Sequence, residues 1–347
     1  MIPARQFQTI LLDWYDKNGR KGLPWQHNPT PYRVWVSEIM LQQTQVATVI
    51  PYYLRFMDAF PEVQSLASAD LDEVLPLWAG LGYYTRARNL HRAAQKIVAD
   101  FDGRFPETPE QLSTLPGIGH STAGAIINLA FNRPAPMLDG NVKRLWTRLH
   151  GIETWPGEST TEKQLWQLSE IYLPPTRCRE YTQALMDFGA TLCTRTGPQC
   201  DPCPLKDHCL AFKSGKVASI PAKKPTSLKP IKKSYWLVLH NNQNHFFLIK
   251  RPPSGIWGGL WAFPQWESRH ALENHCQNTG IDPKKIQWLN KQRHTFTHFH
   301  LDFTPAVYSS PPSVLEIKES TGQWHRFDNP HLAAPAPVKK LMQALLV

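Results

Sequence analysis

Four cysteines fall within 17 residues, as Cys193-x6-Cys200-x2-Cys203-x5-Cys209. Four thiolates in one short loop can enclose a metal centre, and a pair two residues apart suits either zinc or an iron–sulfur cluster. Pro198, Pro202 and Pro204 stiffen the loop and favour a preformed cage, but the spacing leaves the metal open. Cys178 and Cys276 stand outside the set and read as ordinary buried thiols. A second signal is Leu115-Pro-Gly-Ile-Gly-His-Ser-Thr-Ala-Gly-Ala. Gly117 and Gly119 bracket a turn whose backbone N–H groups, at a helix start, can hold a phosphate. Glycines there could equally do no more than join two helices, although the small residues at 122–125 allow close helix packing.

The third signal is a pair of carboxylates. Glu38 lies mid-helix between Val36 and Ile39, with no obvious Lys or Arg partner. Burial there would raise its pKa and make it an acid usable near neutral pH. Asp139 opens a helix in Leu138-Asp-Gly-Asn-Val-Lys-Arg, where N–H groups and the helix dipole are expected to keep it ionised. One protonated and one ionised carboxylate are what glycosidic cleavage through an oxocarbenium-like state requires. Taken singly, Asp139 reads equally well as a plain N-cap and Glu38 as a surface residue.

Residues 1–215 read as successive helices that would position these groups. Thr30-Pro31 is an N-cap and first-turn proline opening a helix with Val34, Trp35, Ile39, Leu41 and Val46. Helical periodicity continues over Val46–Phe60, Leu71–Leu77 and Tyr83–Phe101. Thr108-Pro-Glu-Gln has the form of a capping box, and Leu115–Gly119 breaks the helix before Ser121–Phe131 resumes it. Another helix follows Asp139, then Thr161–Ile171 and Tyr181–Leu192. The Pro- and Lys-rich stretch from Ile220 to Lys233 is an extended linker. Beyond it the period changes: Ser234–His240 and His245–Lys250 are strand-like about a hairpin at Asn241–Asn244. Ala271–Thr279 reads as helix, Thr295–Tyr308 as strand and Pro337–Leu346 as helix, giving a second, α+β domain.

The length of 347 residues exceeds one ordinary core, which agrees with two domains. At 19% charged and 41% hydrophobic residues the chain is that of a folded protein. No segment approaches the ~18 continuous apolar residues of a membrane span; the run Ala123–Phe131 already contains Asn128. Asp13 and Asp16 stand where a secretory signal would be apolar, so a cytoplasmic, intracellular location is expected. Residues 221–347 carry 16 Lys and Arg against 7 Asp and Glu, with five lysines between Lys223 and Lys233. Such an excess suits a polyanion such as nucleic acid, or a solvated linker, and does not decide between them.

The glycine turn, the Leu-Asp-Gly-Asn segment and the four-cysteine loop together resemble the helix-hairpin-helix DNA glycosylases related to endonuclease III. Leu23-Pro-Trp, Ser37-Glu-Ile-Met-Leu-Gln-Gln-Thr-Gln-Val, Gly80-Leu-Gly-Tyr-Tyr and the added C-terminal domain resemble the MutY-type adenine DNA glycosylases, from Phe7 to about Leu341. The resemblance implies an all-α helix-hairpin-helix glycosylase domain (1–215) with an iron–sulfur loop at 193–209, a linker (216–233) and a Nudix-like α+β domain (234–347). It implies one [4Fe–4S] cluster on Cys193, Cys200, Cys203 and Cys209. It further implies a monomer acting on double-stranded DNA at adenine paired with 8-oxoguanine or guanine, nucleoid-associated and with no membrane partner.

By the same resemblance Glu38 is the general acid, Asp139 the oxocarbenium stabiliser and Asn141 its assistant, with Ser121 close by. Arg20, Leu23, Trp25 and Gln183 would line the adenine pocket. Gln42 and Tyr83 would enter the duplex, and Gly117, Gly119 and Lys143 would meet its backbone. Phe296-Thr-His298 corresponds to the family's Phe-Ser-His loop that reads 8-oxoguanine; Thr297 keeps the hydroxyl of the usual serine and adds a methyl. The Nudix pyrophosphatase signature is missing: after Gly255 there are Glu267 and Glu273 but no clustered Arg-Glu…Glu-Glu set for magnesium. Ser121 occupies the place of the lysine that forms a Schiff base in endonuclease III, which implies a monofunctional enzyme. The competing readings are a bifunctional glycosylase/lyase and a non-catalytic lesion-binding protein.

Overall fold

The computed structural model describes residues 2–225, 228–241, 243–253, 255–309, 322–329 and 332–346. Thr226 and Ser227 of the expected linker and Asn242 of the expected hairpin lie outside the described residues. The chain divides into two compact units, 1–69 with 88–225 and 70–87 with 226–347. Among the described residues no helix is long and apolar enough to cross a membrane.

The first unit is helical. It contains α1 (Ala4–Asn18), α2 (Pro31–Leu41), α3 (Val46–Ala59), α4 (Val63–Ser68), most of α6 (Thr85–Phe101), α7 (Pro109–Ser113), α8 (His120–Phe131), α9 (Gly140–Leu149), α10 (Ser159–Ile171), α11 (Cys178–Asp187) and α12 (Leu210–Lys213). The helix α5 (Leu71–Trp78) belongs to the second unit. Two local rules set α2: Pro31 fills its first position and the Thr30 hydroxyl accepts from the Arg33 N–H at 3.2 Å. The centre is α8, whose residues Ala123–Leu129 are all buried because α2, α7 and α11 pack around it. Asn128 is buried there without cost: its amide donates to Gly124 and Ala135 carbonyls and accepts from the Ala135 N–H, tying the 133–138 segment to α8.

Two sequence expectations for helices need correction. The helix expected over 181–192 starts earlier and ends at Asp187, after which Phe188–Leu192 form a π-helical turn. There Gly189 lies against Asn141, and a Cβ on it would sit 2.6 Å from the Asn141 Cβ, so the backbone itself makes this contact. The short α4 was not anticipated, since six residues carry too little periodicity to register.

The second unit holds a mixed sheet: β1 (Ile231–His240), β2 (His245–Lys250), β3 (Trp261–Ala262), β4 (Gln265–Trp266), β5 (Gln287–Trp288), β6 (Gln292–Thr295), β7 (His300–Ser309) and β8 (Gly322–Arg326). Its spine is β1 parallel to β7, in register from Ile231↔His300 to His240↔Ser309. Alternation along β1 sends Trp236 and Val238 to one core, under α14 (Ala336–Ala344), and Leu237 and Leu239 to the other, under α13 (Arg269–Asn278). The strand expected over 295–308 is two strands, β6 and β7, joined by a turn in which the Phe296 N–H donates to the Phe299 carbonyl at 2.9 Å. An alternating Thr-Phe-Thr-His pattern looks alike whether the chain runs on or reverses.

Candidate active site

One cavity of about 520 Å³ in the helical unit gathers the predicted residues. Its wall takes Glu38 from α2, Ser121 from α8, Asp139 and Asn141 from the start of α9, and Gln183 from α11. Arg20, Leu23 and Trp25, from the segment after α1, and Gln42, just past α2, complete the polar and aromatic lining. Trp25 is fixed edge-on against Tyr53 at 5.4 Å between ring centroids.

The Glu38 carboxyl makes no hydrogen bond among the described residues. Burial, and then the neighbouring charge of Asp139, push its carboxyl up to about 8, so at neutral pH it holds its proton. Asp139 is the N-cap of α9, and its Oδ1 accepts from the Val142 N–H at 2.8 Å. Asn141 Nδ2 donates to its Oδ2 at 3.3 Å. Burial pushes the Asp139 carboxyl up from its ordinary range, while the Val142 and Asn141 donors and the Arg144 charge pull it back. The net direction is upward, which corrects the expectation from a helix start alone: the cavity that desolvates Glu38 desolvates its neighbour too. Donors to the charged form are present at Asp139 and lacking at Glu38, so of the two Asp139 is the one equipped to carry the negative charge.

Several holding contacts were not legible in the sequence. The Ser121 hydroxyl accepts from the Leu138 N–H at 3.0 Å, fixing the chain just before Asp139. Arg144 donates to Asn141 Oδ1 (2.7 Å) and to the Gly189 and Cys193 carbonyls (2.6 and 2.8 Å). Gln26 donates to the Arg20 carbonyl and accepts from the Leu23 N–H, which closes the loop carrying three lining residues. Asp187 holds Arg20 and Gln183 from behind. Such partners are 3 to 167 positions apart in the chain, and no local pattern marks the distant ones.

The four loop cysteines line a second, small cavity together with Leu192, Pro198 and Arg148. The Arg148 guanidinium donates to Cys193 Sγ at 3.4 Å, and backbone N–H groups of Leu205, Ala211 and Phe212 reach the sulfurs of Cys203 and Cys209. Burial pushes the Cys203 thiol up to about 12, and the neighbouring cysteines add to it. Among the described residues no group of three or more His, Cys, Asp or Glu side chains is placed to hold a metal ion. Four thiols around one space, with N–H donors turned to the sulfurs and burial opposing free thiolates, have the donor chemistry of a metal centre that would keep the sulfurs ionised.

The remaining candidates lie elsewhere. Gly117 (φ +81°) and Gly119 are exposed on the turn between α7 and α8, with Ile118 buried between them. A left-handed φ at 117 is a glycine position. Lys143, expected to face a phosphate, is paired with Glu162 at 2.5 Å. Tyr83 is 49% exposed at φ +49°, and Arg86 donates to the Leu81 and Gly82 carbonyls beneath it. In the second unit, Thr297 and His298 are exposed on the β6–β7 turn, their Oγ1 and Nδ1 3.1 Å apart. Phe296 stacks on Phe299 at 4.4 Å, and Lys229 donates to the Phe296 carbonyl. Glu273 pairs with Arg269 on α13.

Residues 36–170 match the HhH-GPD superfamily of base excision DNA repair proteins, and residues 235–344 match the NUDIX domain family. A thermostable thymine-DNA glycosylase has a similar structure, with a TM-score of 0.55 and 28% identity over 61% of this chain and 97% of that one. The class is thus a helix-hairpin-helix DNA N-glycosylase with a C-terminal Nudix-like domain. The adenine DNA glycosylase of Buchnera aphidicola subsp. Baizongia pistaciae is 40% identical over 338 residues, covering 97% of this chain and 95% of the relative. That of Mus musculus is 32% identical, covering 97% and 77%. The chain belongs to the MutY-type adenine DNA glycosylase family.

Proposed function

We propose that the chain removes adenine from duplex DNA, in adenine:8-oxoguanine or adenine:guanine pairs, by hydrolysing the N-glycosidic bond in base excision repair. The observation that carries this reading is the shared cavity of Glu38 and Asp139, in which one carboxyl holds a proton and the other has donors for its charge. The cavity volume is that of a small-molecule site, open to a nucleobase turned out of the stack. Glu38 transfers its proton to adenine N7. The C1′–N9 bond breaks with its electron pair leaving on the purine, so neutral adenine departs and the sugar becomes cationic. Asp139 faces that cation, and Asn141 keeps its carboxylate in place. Water then adds to C1′ as the Glu38 carboxylate takes its proton, which restores the acid.

Placement and family support the remaining roles of this reading. Tyr83 and Gln42 enter the duplex, and the Gly117–Gly119 turn meets a phosphate with its N–H groups. Lys143 exchanges Glu162 for the DNA backbone on binding. Cys193, Cys200, Cys203 and Cys209 hold a [4Fe–4S] cluster, whose contribution when bound is to pin the loop from which the Cys193 carbonyl receives Arg144. The protein works as a monomer on intracellular DNA. The test is single-turnover adenine release from an 8-oxoguanine:adenine duplex against a thymine:adenine control. Binding without release would leave a lesion-binding protein.

Ser121 opposes the bifunctional alternative, since a hydroxyl cannot form an imine and here it is committed to the Leu138 N–H. Borohydride added during turnover is expected to leave no stoichiometric enzyme–DNA adduct; a trapped adduct would restore the lyase reading. The exposed Thr297 and His298 pair reads the 8-oxoguanine face. His298→Ala is expected to lower the preference for 8-oxoguanine:adenine over guanine:adenine about tenfold, the worth of one good hydrogen bond. An unchanged preference in paired rate measurements would remove the turn from lesion recognition.

A further inference from the structure

Asp187 is completely buried behind the cavity wall and is not itself a lining residue. On one side it meets Arg20: the Arg20 backbone N–H donates to Oδ2 at 2.7 Å, and Nε and Nη2 donate to Oδ1 at 2.8 and 2.5 Å. On the other side, one turn earlier on α11, Gln183 Nε2 donates to the same Oδ1 at 2.9 Å. Arg20 and Gln183 both line the cavity, so one hidden anion holds two of its polar side chains.

A carboxylate paired with a guanidinium only accepts hydrogen bonds. It therefore decides which end of the Gln183 amide turns toward it, namely the NH2. The carbonyl end, Oε1, makes no hydrogen bond among the described residues and is the end left for a bound base. An acceptor in that place favours a base edge bearing a donor. We propose that Asp187 sets base selectivity by locking the Gln183 carbonyl toward the base, so that a 6-amino purine is accepted and a 6-oxo purine is refused. Asp187 is a positioning residue in this scheme. The proposal rests on adenine excision as the reaction and names the group that makes it specific.

Asp187→Asn distinguishes this role from a merely structural one. Asparagine keeps the shape: with its NH2 in the Oδ1 place its carbonyl still accepts from the Arg20 backbone N–H, the guanidinium loses its acceptor, and the NH2 donates to Gln183 Oε1, which lets the glutamine amide turn over and present its own NH2. Single-turnover excision of adenine and of hypoxanthine is measured opposite 8-oxoguanine with both proteins. Dividing the variant's adenine-to-hypoxanthine ratio by that of the wild type cancels differences in base lability and pairing. We expect that ratio to fall at least ~10-fold, since a site built around a hydrogen bond discriminates through the group left unpaired. A ratio within twofold of the wild type, with both rates lowered alike, would overturn the proposal. If Asp187→Asn does not give folded protein by circular dichroism, Gln183→Met, which lacks the acceptor, is measured in the same way: the same fall is expected, and an unchanged ratio is equally fatal. Wild-type protein that releases no adenine would instead overturn the proposed reaction.

Discussion

Asp139→Asn is expected to slow single-turnover adenine excision by ~10³-fold or more while changing duplex affinity only a few-fold. Asparagine is as good an N-cap as aspartate, so the bond from the Val142 N–H and the start of α9 survive the change. What disappears, on the proposed mechanism, is the charge facing C1′. In a cavity that pushes both carboxyls upward, charge is poorly screened, so its removal acts on the transition state far more than on bound ground-state DNA. Rates within tenfold of wild type, measured with enzyme in excess, would mean that the sugar cation is stabilised by something else.

Glu38→Gln is expected to cost ~10²–10⁴-fold in the same assay, the usual worth of a positioned general acid. Its pH behaviour is the sharper signature. With the Glu38 carboxyl at about 8, the wild-type rate should hold through neutral pH and fall as pH rises through that value, whereas the glutamine variant should lose this limb. Stability moves in the linked sense. The folded protein binds a proton at Glu38 that the unfolded chain releases near 4.5, so the contribution is full below that pH and is lost as pH rises through about 8. Glu38→Gln should therefore gain thermal stability over the wild type at pH 8–9 relative to pH 5, by a few kcal/mol at most. Parallel melting curves across that window, with no widening gap, would place Glu38 outside the low-dielectric wall.

Much of the site was readable because its residues announce themselves locally. Asp139 has the grammar of an N-cap, the cysteines have ligand spacing, and Ser121 stands at a known offset from Gly119. The reading failed where burial or distant partners decide. The helix-start rule expects a depressed Asp139, and desolvation reverses the direction. Lys143 looks like a free cation until α10 supplies Glu162. The 295–308 strand breaks into a hairpin because β6 pairs back along β7, a choice made by the sheet and not by the pattern.

The linear chain alone determined the helical and α+β halves, the family and the candidate carboxylates, because periodicity, caps and ligand spacings are short-range properties of a polymer. Only the tertiary structure decided that Glu38 carries a proton near neutrality, that one cavity collects side chains from α2, α8, α9 and α11, and that Asp187 stands behind two of them. Those outcomes depend on solvent exclusion and on contacts between residues up to 167 positions apart, and both come into being only when the helices pack.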